Sequence, residues 1–279
     1  MLLTLLLSGG TALGYGISDF IGGNASRSER PVRVAAFSHI AGLLGMLIAA
    51  LLWGAPAVSR TDLLWGAASG ISGGVGIFSL YAALRAGRMG VVAPITAAIG
   101  ASLPVLYGAL IGERLAVMSV AGLAVVFAAI MLVSIPRAEG HEPLSRVALG
   151  YSVLAGVFFS GSFILLSNTG AESGLWPAVV LRVVSVAVLS TGALITTRGL
   201  VPARPVLMAT IAAGLVETVA TVFMLLAVQS GPIAVAAVVG SLYPAVTALL
   251  ARVTIKEHLA RHQIVGLGVA LIGIALLSV

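Results

Sequence analysis

The chain has 279 residues, of which 59% are hydrophobic and only 9% are charged, and its mean hydropathy is +1.15. Soluble domains carry about 25% charged residues, so this composition excludes a water-facing fold and predicts an integral membrane protein. Cysteine is absent, which excludes disulfides and thiolate metal sites. The 15 Lys and Arg residues are spread singly between apolar segments, which indicates loop residues that set topology and not a nucleic-acid partner.

Ten segments are apolar and long enough to span a bilayer as helices, because a spanning helix needs about 20 mostly apolar residues. In chain order they are Leu3–Gly23, Val34–Trp53, Leu64–Leu84, Val91–Ile111, Val117–Ile135, Ala148–Ser167, Trp176–Thr197, Val206–Val228, Ile233–Val253 and Gln263–Ser278. The first segment lacks a basic region before it and a clear cleavage site, so we interpret it as a membrane helix and not as a signal peptide. The connections are short, so we expect the embedded helices to carry the function.

The two halves of the chain, 1–136 and 147–279, are similar in sequence and are joined by a hydrophilic loop at 137–146. Glu113 and Glu257 lie 144 residues apart, in the related segments GERLA and KEHLA. The same offset pairs Gly87 with Gly231, Val91 with Val235, Ile111 with Ile255, Leu115 with Leu259, Gly122 with Gly266 and Leu123 with Leu267. Because each half has five helices, the second must enter the membrane in the opposite sense. Inverted repeats with a site between them are typical of secondary transporters, although structural membrane proteins also arise by duplication.

Two long segments carry a family resemblance. GRMGVVAPITAAIGASLPVLYGALIGERL and GPIAVAAVVGSLYPAVTALLARVTIKEHLARHQIVGLGVALIGIALL resemble the two EamA-type repeats of the drug/metabolite transporter superfamily. The second has a Ser-Leu-Tyr-Pro turn, an acidic residue thirteen positions after Pro244, and a Gln-x-x-Gly start to the last helix. The first departs from this pattern, since Gly100 stands at the position of Pro244 and a proline follows at Pro104. The resemblance implies ten helices around a central cavity and transport of metabolites, amino acids or drugs, often outward.

Three charged residues fall inside the predicted spans, where charge costs several kcal/mol and is tolerated mainly beside a cavity or a partner. Glu217 lies near the middle of helix 8, and we interpret it as a proton-coupling or cation-binding group, the alternative being a neutral side chain bonded to another helix. Asp19 is predicted about one turn from the end of helix 1, where function and helix capping are equally consistent. Arg182 could snorkel to the interface, neutralise Glu217 or Asp19, or hold a substrate carboxylate.

Polar uncharged residues add candidates for substrate or coupling-ion binding. They are Tyr15, Ser18, Tyr81, Thr96, Ser160, Ser162, Asn168, Thr218, Thr221, Ser241 and Tyr243. Each alone is more often structural, since hydroxyls in membrane helices bond their own backbone. Glu217 and Thr221 share one helix face. The prolines Pro94, Pro104 and Pro244 predict interrupted or kinked helices.

Glycine spacing in helix 3 predicts close helix packing, with a sliding surface or a homodimer surface as the alternative. The residues are Gly66, Gly70, Gly73, Gly74 and Gly76. The sequence has no motif of a hydrolase, metalloprotease or nucleotide-binding loop, so we expect no enzyme activity and no cofactor. His258 and His262 have the spacing of a metal pair but no membrane carboxylate beside them, so we expect no metal site.

The loop charges and the family resemblance imply opposite orientations in the membrane. One side of the predicted membrane holds twelve Lys and Arg residues and the other holds two, so the positive-inside rule places both termini outside the cell. The family resemblance implies cytoplasmic termini. Either way, we predict a multi-pass secondary transporter of a small solute in the cell membrane. A channel and a non-transporting scaffold are the alternatives.

Overall fold

The computed structural model describes residues 1–55, 57–87, 89–134, 145–255 and 261–277, and these ranges contain helices and no strand. The helices are α1 (Leu2–Ser28), α2 (Pro31–Trp53), α3 (Arg60–Ala86), α4 (Met89–Leu110), α5 (Val117–Ser134), α6 (Arg146–Ser167), α7 (Trp176–Thr197), α8 (Arg204–Ser230), α9 (Ile233–Gly240), α10 (Tyr243–Ile255) and α11 (Arg261–Leu277), with a 3-10 turn at Ala171–Ser173. The predictions at Glu257, His258 and most of the 137–146 loop lie outside the described residues.

The outer surface of the bundle is apolar. Within the described part of the chain, five helices are apolar and long enough to cross a membrane by length and composition: α2, α3, α6, α7 and α8. Large aliphatic side chains such as Leu52, Leu64, Ile195 and Met208 are exposed. Polar side chains are instead buried between helices, among them Arg182, which is 0% exposed. A bilayer suits this distribution, since every backbone polar group is satisfied within a helix and apolar side chains face lipid. The prediction of an all-α membrane protein is confirmed.

The ninth predicted span is broken in two. The prediction of one helix over Ile233–Val253 is wrong, because α9 ends at Gly240 and α10 begins at Tyr243. Pro244 has no N–H to donate, and its ring crowds the carbonyl four residues earlier, so it favours a break on its N-terminal side. It is the second residue of α10, in the first turn, where a helix needs no such N–H bond. The break places a turn inside the membrane. In contrast, α4 continues without interruption through Pro94 and Pro104.

Packing between the two halves repeats when the halves are exchanged. The third helix of the first half, α3, packs against α6 and α7 of the second half. Its counterpart in the second half, α8, packs against α1 and α2 of the first half. Likewise α4 packs on α6, while α9 and α10 pack on α1. The helices α2 and α7 contact each other, as do α5 and α11. This pattern is that of a two-fold axis, and with five spans in each half the axis must lie in the plane of the membrane.

Two glycines related by the 144-residue offset allow the closest of these crossings. A side-chain carbon at Gly70 on α3 would collide with the Leu181 carbonyl oxygen on α7. At Gly214 on α8 it would collide with the Ser38 carbonyl oxygen on α2. The neighbouring glycines of α3 also face α6 and α7. The glycine stripe therefore packs helices within the chain, where only a hydrogen fits between the backbones.

Candidate functional site

A small cavity lies between the two halves, with walls formed by α1, α2, α3, α4, α6, α7, α8 and the break between α9 and α10. Its volume is about 50 Å³, room for a few water molecules. Seven of the residues predicted to bind substrate or a coupling ion line it. They are Tyr15, Asp19, Thr96, Glu217, Thr221, Ser241 and Tyr243. Ser162 from the wider polar set lines it as well.

The most buried charged side chain among the described residues, that of Arg182, forms an ion pair beside this cavity. The Arg182 guanidinium donates from Nη1 to Glu217 Oε1 at 3.0 Å and from Nη2 to Thr221 Oγ1 at 3.1 Å. The Thr221 hydroxyl donates its own proton to the Glu217 backbone carbonyl one turn earlier, at 2.8 Å. Its oxygen is therefore free to accept from the guanidinium. Of the roles considered for Arg182, the structure shows the pairing with Glu217 and no snorkelling to the interface.

A histidine completes the cluster. His39 Nε2 lies 3.1 Å from Glu217 Oε1, and Nδ1 lies 2.8 Å from the Ser185 hydroxyl. The Ser185 hydroxyl donates to the Arg182 backbone carbonyl at 3.0 Å, so its oxygen can accept from Nδ1–H of the imidazole. A second proton on Nε2 makes His39 a cation beside the carboxylate. The second Glu217 oxygen, Oε2, has no hydrogen-bond partner among the described residues. The cluster thus contains one cation, one carboxylate and one imidazole that can change its charge.

Asp19 faces the same cavity without a partner. Its side chain is 5% exposed, and no hydrogen bond or ion pair to its carboxyl group exists within the described residues. The prediction that it lies about one turn from the helix end is wrong, because α1 continues to Ser28, more than two turns further. The predicted span stopped at Gly23 because polar residues follow it. Asn24 and Arg27 are nevertheless compatible with a helix, and α1 continues through both.

Other predicted polar residues lie away from the cavity and hold helices together. Ser18 donates to a backbone carbonyl of α8, and Thr218 donates to one of α2. Ser160 donates to a carbonyl of α4. Tyr81 is fully buried against α1. Asn168 accepts from a tyrosine at the end of α4. These contacts fit the structural interpretation of membrane hydroxyls.

Several residues of the cavity wall were not predicted as site residues. Four of them have a side chain that could contact a solute through an imidazole, an aromatic ring or a thioether: His39, Phe159, Phe163 and Met224. The sequence does contain a signal for His39, because this histidine lies inside the predicted second span. Burying an ionisable side chain in the membrane costs free energy, so its presence there indicates a functional site. Aromatic and methionine side chains are too common in membrane helices to reveal the other three. Within the described ranges, no three His, Asp or Glu side chains are grouped as metal ligands.

Comparison with known proteins then decides the family. The sequence model of the EamA-like transporter family matches residues 2–135 and again residues 146–279. The chain belongs to the EamA-like transporter family. A crystal structure described only as "Crystal structure of protein" has the same fold, with a TM-score of 0.74 and 19% identity over 97% of this chain and 94% of that chain. No match is found among curated proteins. This EamA-family chain is therefore a multi-pass membrane protein of a transporter family with two repeats.

Proposed function

We propose that this EamA-family protein is a secondary transporter that carries a small solute across the cell membrane by alternating access. The observation that carries the proposal is the cluster of Asp19, His39, Arg182 and Glu217 around a cavity between the two halves. Ionisable groups at membrane depth are costly and mark substrate or ion pathways. Broken helices beside a site between inverted repeats are the arrangement found in secondary transporters.

The size of the cavity favours a carrier over a channel. Sites for small molecules usually enclose about 300–1,000 Å³, whereas this cavity has about 50 Å³. A solute can therefore enter only if helices move apart. Helix pairs whose backbones meet at glycine, such as α3 with α7 and α8 with α2, can slide without repacking long side chains. Such a protein binds its solute in each cycle and cannot conduct continuously.

The coupling and the direction of transport are part of the same proposal. The Glu217 carboxylate contacts both Arg182 and His39. A proton taken up by this carboxylate would weaken these contacts and couple proton movement to helix movement. The arginine-rich side of the membrane, where α1 ends and α2 begins, is the cytoplasmic side by the positive-inside rule. Export from that side is the direction we propose.

Counterflow in liposomes tests the proposal. Liposomes that contain the purified protein are loaded with an unlabelled solute, and their uptake of the same solute in labelled form is measured. Pools of amines, amino acids and other metabolites are compared. We expect accumulation with at least one pool, and loss of its pH dependence in Glu217→Gln. Glu172→Gln, which removes an exposed carboxylate outside the cavity, is the matched control. Flux without counterflow would favour a channel, and unchanged transport in Glu217→Gln would remove the coupling role.

A further inference from the structure

The charges that face the cavity are predominantly negative. Asp19 and Glu217 both line it, while Arg182 does not, because its side chain is 0% exposed and lies behind Glu217. The two terminal nitrogens of Arg182 are occupied by Glu217 and Thr221. After this pairing the remaining charge is that of Asp19. The imidazole of His39 also lines the cavity, but Glu217 and Ser185 contact its two nitrogens. A solute carboxylate would therefore find no free cation in the described wall of this cavity.

The wall around Asp19 suits a positively charged solute with an apolar body. An unpaired carboxylate in a membrane interior is strongly unfavourable and takes up a proton instead. An incoming cation would displace that proton and form the ion pair with the Asp19 carboxylate. The ring of Tyr15 stacks on that of Phe163 with centroids 6.3 Å apart and an interplanar angle of 15°. Phe159 and Tyr243 add two further aromatic rings to the wall. Aromatic faces attract organic cations.

We propose that the cavity selects a monovalent organic amine, with Asp19 as its counter-ion and the aromatic rings around its apolar body. The inference deepens the proposed function by naming the substrate class of the same site. It separates amines from amino acids, whose carboxylate would need the guanidinium that Glu217 already occupies. It also assigns Asp19 and Glu217 different tasks, because only Asp19 lacks a protein partner.

Binding to the purified protein tests this without transport. Four compounds share a phenyl ring on a two-carbon chain and differ in the polar group at its end: phenethylamine is a cation, 2-phenylethanol is neutral, 3-phenylpropionate is an anion and phenylalanine is a zwitterion. We expect phenethylamine to raise the thermal unfolding temperature at concentrations about tenfold or more below the others, the effect of one charge-assisted bond. Asp19→Asn should abolish that preference, and Asp19→Glu and Glu172→Gln should keep it.

Equal stabilisation by the neutral alcohol, or a preference for the carboxylates, would overturn the assignment, as would an Asp19→Asn protein that keeps the amine preference. If Asp19→Asn does not fold, the four compounds on the unmodified chain decide alone. Amine binding without counterflow would refute the carrier proposal and leave the site standing. Counterflow of a neutral or anionic solute with no amine preference would refute the amine site and leave the carrier proposal standing.

A second inference concerns how the two faces of the bundle close. At the arginine-rich face, Glu29 follows the end of α1 and accepts from the Arg30 backbone N–H at 2.8 Å and from the Ala203 backbone N–H, just before α8, at 2.9 Å. Arg33 lies 3.7 Å from the same carboxylate. Arg85 at the end of α3 donates to the Glu29 backbone carbonyl at 2.8 Å. The connection between α1 and α2 is thereby fastened to both halves.

The opposite face, where α1 begins and α2 ends, has the symmetry-related contact. The Ser59 backbone N–H, just before α3, donates to Ser173 Oγ at 3.1 Å. The Ser173 hydroxyl in turn donates to Asp62 Oδ2 at 2.6 Å. The 144-residue offset of the repeat pairs Ser173 with Glu29, and Ser59 with Ala203. Each half therefore fastens its first connection to the start of the partner half's third helix, once at each face.

We infer that these two contacts are latches that open in turn, one for each face of the membrane. Both are formed in this structure, in which the cavity is small. Both Glu29 oxygens accept N–H groups, so an amide nitrogen in their place would oppose a donor. In Ser173→Ala the bond to Ser59 and the bond to Asp62 are both lost. The inference rests on alternating access.

The chain contains no cysteine, so one introduced thiol reports access to the cavity. Ser241→Cys is labelled with a membrane-impermeant maleimide from either side of oriented vesicles. We expect Glu29→Gln to speed labelling several-fold from the arginine-rich face only, and Ser173→Ala from the other face only. Glu172→Gln should change neither rate. Acceleration at the same face in both variants, or at neither face in folded protein, would overturn the latches. Labelling shifts without transport would refute the carrier alone.

Discussion

Replacing Arg182 by methionine tests whether the buried ion pair between α7 and α8 stabilises the fold. The guanidinium is 0% exposed and lies 3.0 Å from the Glu217 carboxylate. Methionine fills much of the same volume but leaves Glu217 without its cation, close to a second unpaired carboxyl group at Asp19. Removing one partner of a buried pair costs about 3–5 kcal/mol, because the other charge remains buried. We expect a loss of unfolding free energy in this range.

A double-mutant cycle separates the ion pair from the loss of packing. Arg182→Met combined with Glu217→Leu removes both charges, and replacement of a buried pair by apolar residues is often neutral or stabilising. The double variant should therefore be more stable than either single variant. Reversible unfolding in mixed detergent, followed by the fluorescence of the three tryptophans, gives the four free energies.

Arg27→Met, which removes an exposed arginine near the end of α1, is the control and should change the free energy of unfolding by less than about 0.5 kcal/mol. A cost below about 1 kcal/mol for Arg182→Met would refute the reasoning, since that is the value of an exposed pair. Additive effects in the double variant would refute it as well, because coupled neighbours do not add.

Three further perturbations follow from particular contacts. Gly214→Ala should destabilise the fold, since the new methyl group would meet a backbone carbonyl of α2; Gly9→Ala, with nothing within 4 Å, should not, and unfolding midpoints compare them. Burial tends to raise the pKa of Glu29, but the backbone N–H groups and neighbouring arginines lower it overall below its usual 4.5. The Glu29 latch is therefore complete above pH 4.5 and is lost as the pH falls through the lowered pKa. Labelling of Ser241→Cys from the arginine-rich face should accelerate in acid, and a labelling rate that does not change with pH would contradict this. Pro244→Ala should let a helix continue across the break and slow counterflow while the protein stays folded, and an unchanged rate would show that the break is not needed.

The sequence predicted the membrane class and most of the charged site for one physical reason. Charge inside hydrocarbon is costly, so Asp19, Arg182 and Glu217 stand out in any apolar span. It could not show which of them pair, because that depends on how α7 and α8 face each other. His39 was missed because it counts as neutral in a charge inventory, although it contacts Glu217.

Backbone breaks were only partly predictable. Pro244 coincides with an interruption between α9 and α10, yet α4 passes through two prolines without one. A proline removes one donor and displaces one carbonyl, and neighbouring helices and hydroxyls determine whether the freed groups are satisfied in a continuous helix. The sequence shows the proline but not these neighbours. The latch contacts are also invisible to it, since Ser173 and Glu29 share a place in the repeat but not a residue type.

Counterflow of a labelled amine into liposomes loaded with the unlabelled amine tests the central claim most directly. A carrier with one cavity, open to one face at a time, predicts transient accumulation of label above the external concentration without any other energy source. The same experiment on Asp19→Asn should show none. Rapid equilibration that never exceeds the external concentration, or no uptake of any solute class by folded protein, would contradict alternating access.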